Sequence, residues 1–302
     1  MVPGAAILLL DKPVGLSSNA ALQRTRRLFG GVKAGHVGSL DPLASGMLPI
    51  CLGEATKLAG DILAGRKFYH FALRLGARTS TGDREGAIVE TRPVPHLTGE
   101  QLGAVLQQFQ GQQMQLPPMF SAIKQGGQPL YRLARAGLEV ERSPRSIHIA
   151  ALHLGEWEAT LLQLEVLCSK GTYVRTLAED FARALGTCGH VEQLRRIYVE
   201  PFVDCEMETL ESIERAQQQG RCPLLLDPDR AVQHLPAVQL SHEAAERILH
   251  GQAIGAACAS AGRLRLYDAS ARFLGIGESD GAGSVRPRRL FVRGEVPLSD
   301  GA

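Results

Sequence analysis

The order in which strand-like and helix-like segments follow one another most constrains the fold of this 302-residue chain. Apolar residues recur at strand spacing or form a short apolar run over 5–10 and 67–75, and at helical spacing over 20–30 and 98–109. Residues 161–186 are typical of a strand, a glycine-containing turn and a helix. Because the two kinds intermix without a regular βαβ rhythm, the sequence predicts an α+β fold rather than a doubly wound sheet.

Two of these segments carry sharp local signals. Thr98 and Gln101 have the spacing of a capping box, which predicts a helix from that point to about Phe109. In the strand-like segment, Tyr69 and Phe71 alternate with polar residues and therefore share one side. That spacing by itself favours core packing for Tyr69.

The C-terminal part differs in pattern from the rest. Residues 221–236 are typical of a boundary, and Ser241 is a good cap for the short helix that follows. Three β-like runs broken by glycine turns come next: RLRLYDA, RFLGIGES and RRLFVRG. The sequence predicts a catalytic domain over 1–232 and a small β-rich domain over 233–302.

Charge is concentrated in two places, although the formal net charge is only +2. Residues 117–146 carry five basic residues against two acidic ones, and residues 263–293 carry seven arginines against three acids. Local patches set the field that a nucleic acid meets, so both segments are candidates for phosphate binding. Ordinary surface charge remains the alternative for either patch alone. The basic residues of the first segment are Lys124, Arg132, Arg135, Arg142 and Arg145.

Cysteine spacing and hydropathy indicate a cytoplasmic protein. The six cysteines include no CxxC pair and no zinc-finger spacing, so reduced thiols packed as small apolar residues are expected. The apolar run near the N-terminus is too short for a signal peptide and lacks a basic segment before it. No run approaches membrane-spanning length.

Asp41 lies in the most unusual local setting of the chain. It precedes Pro42, which disfavours the helical region and presents the aspartate from an extended backbone. Gly38 and Gly46 allow tight turns on either side, and the apolar run 47–52 is expected to supply a floor. An ordinary Asp-Pro turn is the alternative. No second acid is nearby in sequence, which weakens a glycosidase interpretation.

The stretch GHVGSLDPLASGMLPICLGEATK, which contains Asp41, resembles the catalytic signature of the TruB family of tRNA pseudouridine synthases. Every fixed position of the family pattern Gly-His-x-Gly-x-Leu-Asp-Pro-x-Ala-x-Gly is matched. The tail GIGESDGAGSVRPRRLFV is similar to the family's small PUA domain. The resemblance implies a mixed, mainly antiparallel catalytic sheet with a PUA-like domain after it. Further matches are LLLDKPVGLSSN, PPMFSAIKQGGQPLYRLARAG, CSKGTYVRTLAEDFARALG and HVEQLRRI.

The reaction implied by this resemblance is the isomerisation of uridine 55 in the tRNA T-loop. The bond from ribose C1′ to uracil N1 breaks, the base turns, and C5 joins C1′. No cofactor or metal is needed, because no group is transferred in and nothing is oxidised. The nucleotide has to be flipped out of the stacked loop, at a cost of a few kcal/mol. The implied partner is tRNA, held by its T stem-loop and by its acceptor end, with the enzyme acting as a monomer.

The resemblance also assigns roles to residues. Asp41 matches the catalytic aspartate, and attack on C1′, attack on C6 and proton abstraction from C2′ all remain open for it. Arg175 matches its partner, which lowers a carboxylate pKa and offsets the cost of burial. Tyr69 matches the tyrosine that stacks on the target base. The expected substrate-binding residues are Tyr173 and Leu194 in the pocket, His36 near the flipped nucleotides, Lys12 beside the active loop, and Lys124 and Arg135 in the insertion 117–146, which resembles a mobile segment that closes on the RNA.

Three other functions remain to be weighed against this enzyme. An RNA-binding or RNA-folding module would use the same basic patches without depending on Asp41. A guide-RNA-dependent relative that modifies ribosomal RNA would carry a basic tail, whereas PLSDGA favours the stand-alone bacterial type. Glycoside hydrolysis would require a second carboxylate from elsewhere in the chain.

Overall fold

The computed structural model describes residues 4–256 and 260–291, and a central eight-stranded sheet organises most of them. Two short 3₁₀ helices, Glu54–Leu58 and Pro228–Val232, accompany the regular elements. In chain order these elements are β1 (Ala5–Lys12), α1 (Ser18–Leu28), β2 (Ala34–His36), β3 (Ser45–Gly53), α2 (Ala59–Ala64), β4 (Lys67–Leu75), β5 (Ala77–Thr79), β6 (Ile88–Thr91), α3 (Gly99–Gln108), β7 (Gly111–Gln115), β8 (Lys124–Gln125), β9 (Gln128–Pro129), α4 (Leu130–Arg135), β10 (Arg145–Glu158), β11 (Leu161–Cys168), α5 (Val174–Ala184), β12 (Gly189–Val199), α6 (Leu210–Gln218), β13 (Ala237–Gln239), α7 (His242–Leu249), β14 (Ile254–Gly255), β15 (Ala261–Tyr267), β16 (Phe273–Asp280) and β17 (Ser284–Leu290).

The central sheet is mixed and mainly antiparallel, which confirms the predicted α+β class. Its strand order is β1-β3-β12-β4-β11-β10-β7, and β2 pairs with the C-terminal part of β3. Within this sheet, β12 and β3 form the parallel pair, with Arg195 opposite Ser45 and Arg196 opposite Gly46. The strands β4 and β12 are therefore neighbours at the centre although more than 100 residues separate them in sequence.

Strand β1 is buried on both faces. Leu8 and Leu10 belong to the main core, which also contains buried residues of α1, α3, α5 and α6, whereas Ile7 and Leu9 belong to a second apolar cluster. A strand buried on both faces has a continuous apolar run instead of alternation, as in parallel-sheet interiors. Burial of each such side chain stabilises the fold by roughly 1.5–3 kcal/mol.

Local capping signals define several helices as the sequence predicts. Thr98 accepts a hydrogen bond from the Gln101 amide, and the Gln101 side chain accepts one from the Thr98 amide, so the capping box is present. Phe109 is the C-cap of that helix. Ser241 caps α7 through the amide of Ala244.

Residues 221–236 pack against the sheet rather than forming a free linker. Leu226 exchanges two backbone hydrogen bonds with Ile7, at 2.9 and 2.8 Å. Ala231 and Val232 are buried in the same apolar cluster as Ile276 of β16. The boundary between 232 and 233 stays a prediction, because this segment joins both parts of the chain.

The C-terminal part contains a five-stranded sheet in the order β13-β15-β16-β17-β14. The first two runs that the sequence indicates as β-like correspond to β15 and β16. The third run, 288–294, overlaps β17 only over 288–290 and continues beyond the described residues. Arg293, part of the predicted basic patch, and Cys258 lie outside the described residues. No helix in residues 4–256 or 260–291 has the length and hydropathy to cross a membrane. Five described cysteines are free, and Cys51, Cys168 and Cys188 are buried.

Candidate active site

The loop that carries Asp41 connects β2 to β3 and is held from the side of α1. The Ser18 hydroxyl donates to the Leu40 carbonyl at 3.0 Å and accepts from the Leu40 amide at 2.7 Å. The Gly15 amide donates to the Pro42 carbonyl at 2.8 Å. Both neighbours of Asp41 in sequence are therefore tied to the first turn of α1 and the loop before it. Ser18 is a scaffold residue in this arrangement.

Glycines shape both ends of this loop, as the sequence predicts. Gly38 has φ of +69° and Gly46 has φ of +100°, which are left-handed conformations that favour glycine. A Cβ on Gly46 would lie 2.1 Å from the carbonyl oxygen of Arg196. The second glycine is thus required by close packing as well as by its backbone conformation.

Arg175 lies in the first turn of α5 and points its guanidinium at Asp41. Its Nε is 2.9 Å from Asp41 Oδ2 and 3.8 Å from Asp83 Oδ2. Nη1 donates to the Thr81 carbonyl and Nη2 to the Phe120 carbonyl, both at 2.7 Å. With three sides of the guanidinium engaged and 5% of the side chain exposed, Arg175 is fixed in orientation.

Asp83 supplies the second carboxylate that was absent from the sequence neighbourhood of Asp41. It is 3% exposed, and its Oδ1 accepts hydrogen bonds from the Thr81 hydroxyl and the Glu85 amide. That pattern is an Asx turn, and turn-forming aspartates are common. Nothing local in the sequence marks Asp83 as a neighbour of Arg175, so sequence reasoning missed it.

The pKa of Asp41 is higher than the pairing with Arg175 alone leads us to expect. The side chain is 41% exposed, but the exposed part faces a concave pocket. Burial raises the pKa of Asp41 above its ordinary value; Arg175 opposes this rise, and Asp83 adds to it. The expected lowering by Arg175 is present, yet burial outweighs it.

The pocket in front of Asp41 collects four of the residues assigned by resemblance: Tyr69, Tyr173, Arg175 and Leu194. The prediction that residues 47–52 form the floor of the pocket is wrong, because those residues are buried inside the sheet as part of β3. The reason is that the chain enters β3 at Ser45, four residues after Asp41, and β3 is covered on both sides by neighbouring strands. The apolar wall instead consists of side chains from other elements, including Leu40, Leu63, Val174 and Leu194.

Two tyrosines form the aromatic part of the pocket. Tyr69 is 9% exposed, belongs to the main core and also lines the pocket, as its strand spacing predicts for the core. Its stacking on the target base stays a prediction. Burial raises the pKa of Tyr69, and Arg196 opposes that rise. The backbone of Tyr173 is fixed by the Gln115 amide group, which accepts from its N–H at 2.8 Å and donates to its carbonyl at 3.1 Å.

Lys12 and His36 lie behind the pocket rather than in its lining. Lys12 is fully buried and donates to the carbonyls of Pro13 and Leu16 at 2.8 and 2.7 Å. Burial lowers the Lys12 pKa to about 8, against the opposing effect of Asp41. His36 is half-buried at the end of β2, burial lowers its pKa, and its Nδ1 has no hydrogen-bond partner in the described part of the chain.

The basic insertion 117–146 borders the pocket at its base and projects its charges outward. Lys124 and Arg135 are exposed and do not line the pocket. Arg142 donates a hydrogen bond to the Pro117 carbonyl at 3.0 Å and so joins the two ends of the insertion. Phe120 of this segment accepts the bond from Arg175. The structure thus places the insertion beside the site without bringing its two predicted RNA-binding residues into the pocket.

The resulting site combines an acid with an aromatic and apolar wall, and its lining also includes the basic residues Lys67, Lys170 and Arg196. One carboxylate stands against an arginine, and an aromatic and apolar wall faces it. Groups of three or more His, Cys, Asp or Glu residues that could hold a metal ion do not occur within the described ranges. A carboxylate in this setting can act as a nucleophile or as a base once it is ionised.

Comparison with known families covers nearly the whole chain. Residues 26–174 match TruB family pseudouridylate synthase (N terminal domain). Residues 175–232 match the tRNA pseudouridylate synthase B C-terminal domain, and residues 236–291 match Pseudouridine synthase II TruB, C-terminal.

Curated relatives are similar over almost their full length. The chain is 49% identical over 292 residues to tRNA pseudouridine synthase B of Stutzerimonas stutzeri, covering 95% of each chain. It is 46% identical over 301 residues to tRNA pseudouridine synthase B of Vibrio cholerae, covering 96% of each.

Solved structures share the fold at lower identity. One is an H/ACA RNP bound to a substrate RNA containing 2′-deoxyuridine, with a TM-score of 0.71, 20% identity, and coverage of 97% of this chain and 86% of that one. Another is a Cbf5-Nop10-Gar1 complex, with a TM-score of 0.71, 22% identity, and coverage of 95% and 85%.

Proposed function

The chain belongs to the TruB family of pseudouridylate synthases, and from this membership we propose that it converts uridine 55 in the T-loop of tRNA into pseudouridine. The enzyme is an isomerase of tRNA uridine. The position in the T-loop and the catalytic role of Asp41 are the finer parts of the proposal. The observation that carries the role of Asp41 is the 2.9 Å contact between Arg175 and Asp41 at a pocket lined by Tyr69. The T-loop position rests on the likeness to the family alone.

The reaction conserves the atoms of uridine. The N1–C1′ bond breaks, the uracil turns within the pocket, and C5 bonds to C1′. C5 loses its hydrogen to the solvent, and N1 gains a hydrogen, so the composition of the nucleoside is unchanged. Ionised Asp41 acts either as a nucleophile, on the ribose or on the uracil ring, or as a general base that removes a proton from the ribose. Tyr69 and Leu194 hold the flipped base against the carboxylate through stacking and apolar contact.

RNA recognition in this proposal is divided between the two basic patches, with the enzyme acting as a monomer. The exposed residues Lys124 and Arg135 flank the pocket and contact the phosphates of the T stem-loop. The exposed arginines of β17 contact the acceptor end of the tRNA. His36 and Tyr173 border the loop nucleotides, and Lys12 supports the turn behind Asp41.

The test uses an unmodified tRNA transcript that carries tritium at C5 of the T-loop uridine alone. Formation of the C5–C1′ bond releases the label to water, so we expect release by the wild-type protein. A second transcript, labelled at every uridine except that one, should release nothing. Release from the second transcript and none from the first would contradict the T-loop assignment.

The role of Asp41 is tested with Asp41→Asn, which keeps shape and polarity but cannot ionise. We expect its release of tritium to fall below detection while filter binding of tRNA is retained, because phosphate contacts lie elsewhere. The matched control is Asp180→Asn, a half-buried aspartate on α5 that pairs with Arg183 and does not line the pocket, and it should keep wild-type activity. Substantial release by Asp41→Asn would remove the catalytic assignment.

A further inference from the structure

Arg196 is a buried cation that the catalytic scheme above does not use. It is 1% exposed, and in the described part of the chain its guanidinium donates to backbone carbonyls rather than to a carboxylate. Burying an arginine without a counter-charge is costly unless hydrogen bonds hold the guanidinium. The Arg196 side chain also lines the pocket that contains Asp41. The unfavourable burial of this cation therefore points to a role at that pocket.

The guanidinium of Arg196 bridges the two ends of the loop that carries Asp41. Its Nε donates to the Met47 carbonyl at 2.7 Å, and its Nη2 donates to the Gly38 carbonyl at 2.7 Å. Gly38 lies three residues before Asp41, and Met47 lies six residues after it. One rigid planar group therefore fixes the separation between the beginning and the end of this loop.

The backbone of Arg196 adds to this bridge. In the sheet, Arg196 is opposite Gly46 on one side and opposite Tyr69 on the other. Its own carbonyl oxygen is the atom that a Cβ on Gly46 would meet. The residue thus joins the strand of Tyr69, the end of the Asp41 loop and, through its side chain, the start of that loop.

We propose that Arg196 is a positioning residue that sets the distance between the Asp41 carboxylate and the base-stacking wall at Tyr69. The proposal rests on the catalytic role of Asp41 given above. Arg175 makes the ionic contact with Asp41, whereas Arg196 acts through backbone carbonyls at both ends of the loop. Arg196 therefore controls geometry, and its loss should reduce turnover more than binding.

The experiment compares Arg196→Lys and Arg196→Met in the full-length protein. Arg196→Met removes both hydrogen bonds to the loop, and a misplacement of about 1 Å can cost roughly 100-fold in rate, so we expect a kcat loss of that order. Arg196→Lys keeps the charge but not the planar fork, so its kcat should lie between those of Arg196→Met and the wild type. The KM for tRNA should change little in either variant.

Two readouts separate positioning from a general loss of stability. Amide hydrogen exchange should accelerate in the segment 38–47 of both variants, measured below their unfolding temperatures. Ile213→Ala, which removes buried volume on α6 away from the pocket, is the stability control and should leave kcat at saturating tRNA and exchange in 38–47 unchanged. The acidic limb of kcat in Arg196→Met should stay at the wild-type pH, because the charges that shift the pKa of Asp41 are those of Arg175, Asp83 and Lys12.

The outcomes distinguish this inference from the proposed function. Near-normal kcat in both Arg196 variants, with Asp41→Asn inactive, overturns the positioning role and leaves the catalytic assignment intact. A loss that appears only in KM, or that Ile213→Ala reproduces, also overturns it. If Arg196→Met does not fold, the kcat and exchange of Arg196→Lys decide the question. Activity in Asp41→Asn instead overturns the proposed function.

Discussion

At the scale of single residues, the charge state of Asp41 depends on a contest between burial and Arg175. Burial raises the pKa of this carboxyl, and the nearby Asp83 raises it further. Arg175 acts in the opposite direction through charge and a hydrogen bond at 2.9 Å. Since both proposed kinds of chemistry at Asp41 begin from the carboxylate, we expect Arg175 to set the pH range of turnover.

Arg175→Met is predicted to displace the pH profile of turnover. Removing the cation raises the Asp41 pKa beyond its already raised value, so the ionised fraction recovers only at higher pH. A nearby cation lowers a carboxylate pKa by about 1–3 units, and the acidic limb of kcat should move upward by a similar amount. Tritium release measured against pH at saturating tRNA tests this.

The control for this prediction is Arg183→Met on the same helix, an exposed arginine that pairs with Asp180. It should retain the wild-type profile. The maximal rate of Arg175→Met should also be lower, because its bonds to Thr81 and Phe120 are lost. A near-normal profile for Arg175→Met would show that Arg175 does not govern ionisation of Asp41.

At the scale of elements, the turn from the Asp41 loop into β3 depends on Gly46. An alanine there would have its Cβ 2.1 Å from a backbone oxygen of β12, which cannot move without breaking the sheet. Gly46→Ala should therefore lower the free energy of unfolding by considerably more than the roughly 1–2 kcal/mol that a left-handed conformation costs an L-residue. Urea unfolding followed by circular dichroism measures the difference.

Gly30→Ala provides the matched comparison for Gly46→Ala. Gly30 follows α1 with φ of +64°, and a Cβ there would meet nothing within 4 Å. Its cost should be limited to the conformational strain of about 1–2 kcal/mol. Equal losses in the two variants would show that the contact with β12 is not the reason for glycine at 46.

The insertion 117–146 is predicted to contribute to RNA affinity without contributing to chemistry. Lys124→Ser with Arg135→Ser removes two exposed charges outside the pocket. Affinity for an isolated T stem-loop should fall, and the slope of log affinity against log salt should become shallower by about 1–2. The kcat at saturating RNA should be retained. Filter binding across a salt series would refute the assignment if both slope and affinity stayed unchanged.

At the scale of the whole molecule, the C-terminal sheet is docked on the rest of the chain through apolar and polar contacts. Arg263 pairs with Asp61 at 2.6 Å, and Lys57 donates to the Leu290 carbonyl at 2.7 Å. Ile276 is buried in the cluster that contains Ile7. Truncation would expose this cluster, so surface substitutions test the C-terminal part more cleanly.

β17 carries three exposed arginines, Arg286, Arg288 and Arg289. Their joint replacement by serine should weaken the binding of full-length tRNA. The salt slope should become shallower by about 2–3, because each phosphate contact contributes slightly less than one unit. Binding of the isolated T stem-loop should not change, since that RNA lacks the acceptor end. Equal losses for both RNAs would contradict the division of labour between the two basic patches.

Signals within a few residues were sufficient to predict much of the local structure. Thr98 and Gln101 predict their capping box because a helix end is satisfied by its own neighbours. Gly38 and Gly46 predict the turns around Asp41 for the same reason. Long motifs in the order typical of a family predicted the family, and the intermixed strand-like and helix-like segments predicted the α+β class. The roles of Asp41, Arg175 and Tyr69 remain predictions that the pocket supports by bringing those residues together.

Other features depend on contacts between elements that are far apart in sequence. The turn that carries Asp83 is paired with Val191 of β12, and Asp83 there lies 3.8 Å from Arg175 on α5. Arg196 reaches Gly38 because β12 lies beside β3 in the sheet. The apolar run 47–52 was predicted to be a pocket floor but lies inside the sheet, because hydrophobicity predicts burial without specifying the partner surface. Long-range pairing selects those partners, and a local pattern carries no information about which strands become neighbours.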